Sequence, residues 1–117
     1  EQCALFRWAE ANKSKWPELS LMFSIPNGGL RNIVVARQMK RSGQKPGVPD
    51  ICLPIARGRY HGLFIEMKVK PNKQTPAQID WAHRLVFTCG YEYRLCYSWM
   101  DAVEAIKSYL MEVTQND

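Results

Sequence analysis

The four cysteines, Cys3, Cys52, Cys89 and Cys96, form no C-x-x-C pair. That removes the spacing of a zinc ribbon or a dithiol redox motif. Cys52 and Cys96 fall in apolar, strand-like runs, where reduced, buried thiols fit better than disulfides. Histidine is scarce: His61 and His83 stand far apart with no cysteine at zinc-ligand spacing. No apolar run approaches the roughly 18 residues of a membrane span. No signal-peptide pattern precedes the first helical pattern, so a cytoplasmic location is expected. Internal repeats, low-complexity tracts and an interdomain linker are also lacking. One absence is local: no acidic residue occurs between Arg31 and Lys45, which include Arg37, Lys40 and Arg41.

What is present suits one domain over residues 1–117. Lys and Arg number 16 against 11 Asp and Glu, giving a net charge of +5. A polyanionic partner is one reading of that surplus, and an ordinary basic soluble surface is the other. Residues 2–13 carry an apolar stripe with Leu5, Trp8 and Ala9, predicting a helix. Residues 19–25, LSLMFSI, read as a strand, Pro26 to Gly29 as a turn and residues 30–41 as a second helix. Residues 50–55 and 61–70 read as a strand hairpin turning at residues 56–59. Thr75-Pro76-Ala77-Gln78 has the chemistry of a helix start, with Thr as cap and Gln three residues on. Residues 91–97 alternate like a strand, and Ser98 caps a last helix bearing Val103, Ile106 and Leu110. The expected fold is α/β, a central mixed sheet flanked by helices.

Three charges interrupt the most apolar stretch. Asp50 opens one strand run, and Glu66 and Lys68 sit within LFIEMKV. Successive strand residues point to opposite faces, so Leu63, Ile65, Met67 and Val69 share one side and Phe64, Glu66 and Lys68 the other. A lone E-x-K is ordinarily just a solvated strand face. Here the hairpin partner supplies a second carboxylate, behind Gly47-Val48-Pro49, so Asp50 and Glu66 can converge. Two carboxylates that close repel unless a proton or cation sits between them. A hard divalent ion such as Mg²⁺ or Mn²⁺ suits oxygen donors, and a lysine beside it can orient or activate water.

Pro49-Asp50 followed sixteen residues later by Glu66-Met67-Lys68 resembles the PD-(D/E)XK nuclease signature. The ordered set PNGG, GVPD, GLFIEMK, Gln78 and Gly90-Tyr91 is similar to the VRR-NUC domain, the virus-type replication and repair nuclease, in its stand-alone phage or bacterial form. The resemblance implies metal-dependent cleavage of DNA. It implies that Asp50, Glu66 and the Met67 carbonyl hold the metal and that Lys68 positions or activates water. Gln78 matches a family glutamine, beside its plain capping role. For a family glutamate on the first helix, Glu1 is the first candidate, Glu10 the second, and a residue upstream the third. Asn27, in PNGG, falls in a loop beside the expected site. Ser24 stands where the family often has histidine.

No helix-turn-helix or zinc finger is evident, so DNA would be held by charge and shape more than by base edges. Asn27, Arg31, Arg37, Lys40, Arg41, Lys45, Lys70 and Lys73 are the candidate DNA contacts, with Arg57 and Arg59 further charges near the turns. The resemblance implies branched DNA such as Holliday junctions as substrate, cut by a homodimer. The competing reading is a nucleic-acid-binding module, inactive or nonspecific, on the same fold.

Overall fold

The computed structural model describes residues 1–26 and 33–112. The elements are α1 (Gln2–Asn12), a 3₁₀ turn (Pro17–Leu21), β1 (Phe23–Ser24), α2 (Ile33–Arg41), β2 (Ile51–Leu53) and β3 (Leu63–Met67). They continue with α3 (Pro76–His83), a π-helical turn (Arg84–Thr88), β4 (Glu92–Cys96) and α4 (Trp99–Leu110). The strands form one mixed sheet in the order β1-β2-β3-β4. The first two pairings are antiparallel and β3–β4 is parallel. A parallel pair needs a crossover, and α3 supplies it.

Strand alternation sorts the sheet into two sides. Leu63 and Ile65 of β3 join Ile51 and Leu53 of β2 in a core with Leu5 and Ala9 of α1 and Ala102, Ile106 and Tyr109 of α4. Every one of these is buried, and most are wholly enclosed. Burial of so many aliphatic side chains, at about 1.5–3 kcal/mol each, is what fixes the register of the short strands. The other side carries Phe64, whose ring meets Tyr91 edge-on at 5.1 Å. Ala82 and Leu85 are buried where α3 and the π-helical turn cover that side.

Three local expectations are corrected. Residues 19–25 do not form one strand. Pro17 starts a 3₁₀ turn, Leu19 and Met22 point inward, and only Phe23 and Ser24 pair with Cys52 and Ile51. Leu21 and Phe23 are exposed, so the apolar run lies at the rim of the sheet and not inside it. The alternation predicted for β3 holds to Met67 and stops there: Val69 lies beyond the strand and is exposed. Arg57 is not a free charge for a ligand. It donates to Glu18 and to the Leu110 carbonyl, tying the 3₁₀ turn to the end of α4. All four cysteines are free thiols, with Cys52 and Cys96 buried.

Candidate active site

The β2–β3 register pairs Ile51 with Ile65, and carrying it one residue further sets Asp50 across from Glu66. Directly opposed side chains in an antiparallel pair have Cβ atoms about 4.5–5.5 Å apart. The entrance to β2 is pinned from both flanks. The Ile25 amide donates to the Asp50 carbonyl at 2.7 Å, and the Met67 amide donates to Asp50 Oδ2 at 2.8 Å. Pro49, fully buried, sets the backbone ahead of it. The Asp50 carboxylate thus lies against the Glu66–Met67 peptide.

Glu66 is 2% exposed and is the one buried charged residue among the described residues. Its Oε2 accepts from Gln78 Nε2 at 3.2 Å, whereas Oε1 is buried and receives no hydrogen bond. Burial, then the Asp50 carboxylate beside it, raise its pKa to about 8, against an opposing pull from Lys68. A carboxyl in this position keeps its proton at neutral pH until something positive replaces it.

Gln78 serves two purposes. Thr75 Oγ1 accepts from the Gln78 amide at 3.2 Å, and Gln78 Oε1 accepts from the Thr75 amide at 2.8 Å, a complete capping box. With Oε1 held by the cap, Nε2 is directed at Glu66. The neighbouring contact is equally tight. Gly47 has φ of +90°, and a Cβ there would stand 2.6 Å from the Ala77 backbone. The GVPD segment therefore presses directly on the first turn of α3.

Lys68 is half-buried, two residues beyond Glu66, with its amide donating to the Cys96 carbonyl. Arg37, Lys40 and Arg41 of α2 are exposed, as are Lys45, Lys70 and Lys73. The Lys70 ammonium sits 5.4 Å above the Tyr97 ring. Asn27 and Arg31 lie outside the described residues. Glu1 caps α1 only through its carbonyl, with an exposed side chain, and Glu10 is an exposed partner of Lys13. Among the described residues no three His, Cys, Asp or Glu side chains could hold a metal together, so neither glutamate makes a trio with Asp50 and Glu66.

Two residues of this neighbourhood escaped the sequence reading. Tyr93 of β4 accepts a hydrogen bond from Gln74 Nε2 at 2.7 Å. Its ring shares the sheet face of Glu66. The only sequence signals were the alternation of residues 91–97 and the pair of glutamines flanking the Thr-Pro cap.

The donor set fits a hard cation: two opposed carboxyls, one oxygen without a donor, and a backbone peptide between them. A four-stranded mixed sheet presenting such a pair from its central strands, with a lysine two residues on, is the PD-(D/E)XK nuclease core. The VRR-NUC domain model matches residues 1–100, and the chain belongs to that family. A solved structure titled VRR_NUC domain protein superposes with a TM-score of 0.79 at 28% sequence identity, covering 97% of this chain and 88% of that one. No curated protein matches. Family membership makes the function a nuclease-type one acting on DNA.

Proposed function

We propose that the protein is a divalent-metal-dependent endodeoxyribonuclease that hydrolyses phosphodiester bonds in branched DNA, four-way junctions included. The observation that carries the reading is Glu66 Oε1, buried without a donor on a side chain that the strand register sets across from Asp50. A binding module has no use for it, since paired carboxylates repel phosphate.

Asp50, Glu66 and the Met67 carbonyl would hold Mg²⁺ or Mn²⁺. Bound there, such an ion would supply Lewis acidity toward a phosphate oxygen and would lower the pKa of bound water toward neutrality. The chain's own groups do the rest. Glu66 would have to give up its proton to serve as a ligand, and Gln78 Nε2 holds Oε2, which leaves Oε1 as the oxygen without a protein donor. The Lys68 ammonium positions the attacking water and balances charge gathering on the phosphoryl oxygens. A new P–O bond would form from water as the opposite ester bond breaks, the water's proton passing to solvent and the leaving sugar oxygen taking one up from solvent. Arg37, Lys40, Arg41, Lys45, Lys70 and Lys73 supply exposed positive charge for the DNA backbone.

Symmetric cuts in a junction need two sites, which a two-fold homodimer supplies. Exposed Leu21 and Phe23, at the open β1 rim of the sheet, give such a dimer an apolar surface.

Junction, flap, splayed-arm and linear duplex DNA, each incubated with Mg²⁺, Mn²⁺ or chelator, test the proposal. Metal-dependent cutting of the junction above the linear duplex is expected. Full activity in chelator overturns the metal site, and equal cutting of linear duplex overturns the structure selectivity. Light scattering at working concentration decides the dimer.

A further inference from the structure

The crossover between β3 and β4 ends in Gln74-Thr75-Pro76-Ala77-Gln78, and its two glutamines reach to different strands. Gln78 holds Glu66 of β3, and Gln74 holds Tyr93 of β4. In the parallel register Phe64 pairs with Tyr93 and Glu66 with Leu95. Paired residues on neighbouring strands point to the same side, so Tyr93 stands on the carboxylate face, one pleat from Glu66. One capped helix start thereby fixes two side chains of one face.

The hydrogen bond from Gln74 occupies an acceptor position on the Tyr93 hydroxyl, and that bond does not engage the hydroxyl's own proton. Burial, then the negative charge of Glu66, with Asp50 adding to it, raises the hydroxyl's pKa, and the Gln74 bond offsets this only in part. The group is therefore a neutral donor and not a base. A half-buried donor beside two carboxylates, braced from behind, suits an anionic oxygen arriving from solvent.

We propose that Tyr93 is a further substrate-contacting residue, whose hydroxyl donates to a non-bridging oxygen of the phosphodiester bound at the Asp50–Glu66 site. The proposal rests on the nuclease reading and adds to it the group that meets the phosphate from the β4 side. It assigns Gln74 a supporting role only: it orients the hydroxyl and never meets DNA.

Tyr93→Phe removes one oxygen and keeps the ring. Single-turnover cleavage at saturating DNA should fall about 10- to 100-fold, the range for losing one preorganised donor to transition-state charge. Mn²⁺ affinity, measured without DNA, should stay within about twofold, because no metal donor has changed. Gln74→Ala should cost much less than Tyr93→Phe, because the hydroxyl remains. Ca²⁺-supported DNA binding, which needs no turnover, should weaken in Tyr93→Phe by about threefold or more. Unchanged cleavage and unchanged Ca²⁺ binding in Tyr93→Phe overturn the proposal while leaving the nuclease reading intact. So does a Gln74→Ala loss equal to that of Tyr93→Phe, which makes the contact a brace. If the wild type cuts none of the DNAs, the nuclease reading falls and the Ca²⁺ binding comparison alone decides. Weaker binding in Tyr93→Phe then supports the contact, and equal binding overturns it.

Discussion

Glu18 and Glu66 are both drawn in from solvent, but they meet opposite company. Glu18 is received by the Arg57 guanidinium, which also bonds the Leu110 carbonyl, and the pair closes the far end of the molecule. Glu66 is received by Asp50, an acid against an acid, with one oxygen given no donor at all. The first arrangement is complete within the chain. The second becomes complete only when a proton or cation is added. A fold that satisfies a partly exposed glutamate and leaves the fully buried one short marks the second as a place where stability has been given up for chemistry.

The largest expected effect breaks the contrast at its functional end. Asp50→Ala and Glu66→Gln should each reduce junction cleavage by about 10³-fold or more, by loss of the metal donors. Circular dichroism should remain that of the wild type. Normal cleavage by Glu66→Gln removes that residue from the site. Lys68→Ala, which leaves both carboxylates in place, should cost about 10²- to 10³-fold in rate with metal affinity preserved.

Stability sharpens the contrast, because the two glutamates should respond in opposite senses. The folded state holds the Glu66 proton to about pH 8, and the unfolded chain releases it near 4.5. Between those values the unfolded state binds fewer protons, so the metal-free protein loses stability as pH rises and levels off above about 8. Glu66→Gln should flatten that dependence and stabilise the metal-free protein by about 1–3 kcal/mol at pH 8, while Glu18→Gln destabilises it. Thermal unfolding at pH 5 and pH 8, with chelator, reads both.

The smaller effects concern support. Gln78→Ala loses both the cap and the hold on Glu66, and should cost about 1 kcal/mol of stability together with a loss of cleavage. Reversing the charge of Arg37 and Lys40 should reduce the salt dependence of DNA binding and leave cleavage of bound DNA nearly unchanged.

The carboxylate pair was legible in the sequence because strand alternation and a short hairpin are local rules, and they carry Asp50 and Glu66 to one place. The capping box was legible for the same reason: Thr75 and Gln78 are three residues apart, and the geometry of a first helical turn does the rest. The run at residues 19–25 misled, since apolar content does not separate a rim from a core. Pro17 began a turn that composition alone hid. Tyr93 was not legible as a site residue. Its link to Gln74 spans nineteen positions and depends on a parallel register that only the folded sheet sets.

Asp50 enters on one segment and Gln78 on another, and the spacer between those segments is a hydrogen atom. At residue 47 even a methyl group would collide with the backbone of Ala77. The separation of the two halves of the site is thus gauged by what glycine leaves out. A substitution there touches no charge, no donor and no ligand, yet it pushes a correctly built set of reactive groups out of register. The vulnerability of this enzyme extends to a position that has no chemistry of its own.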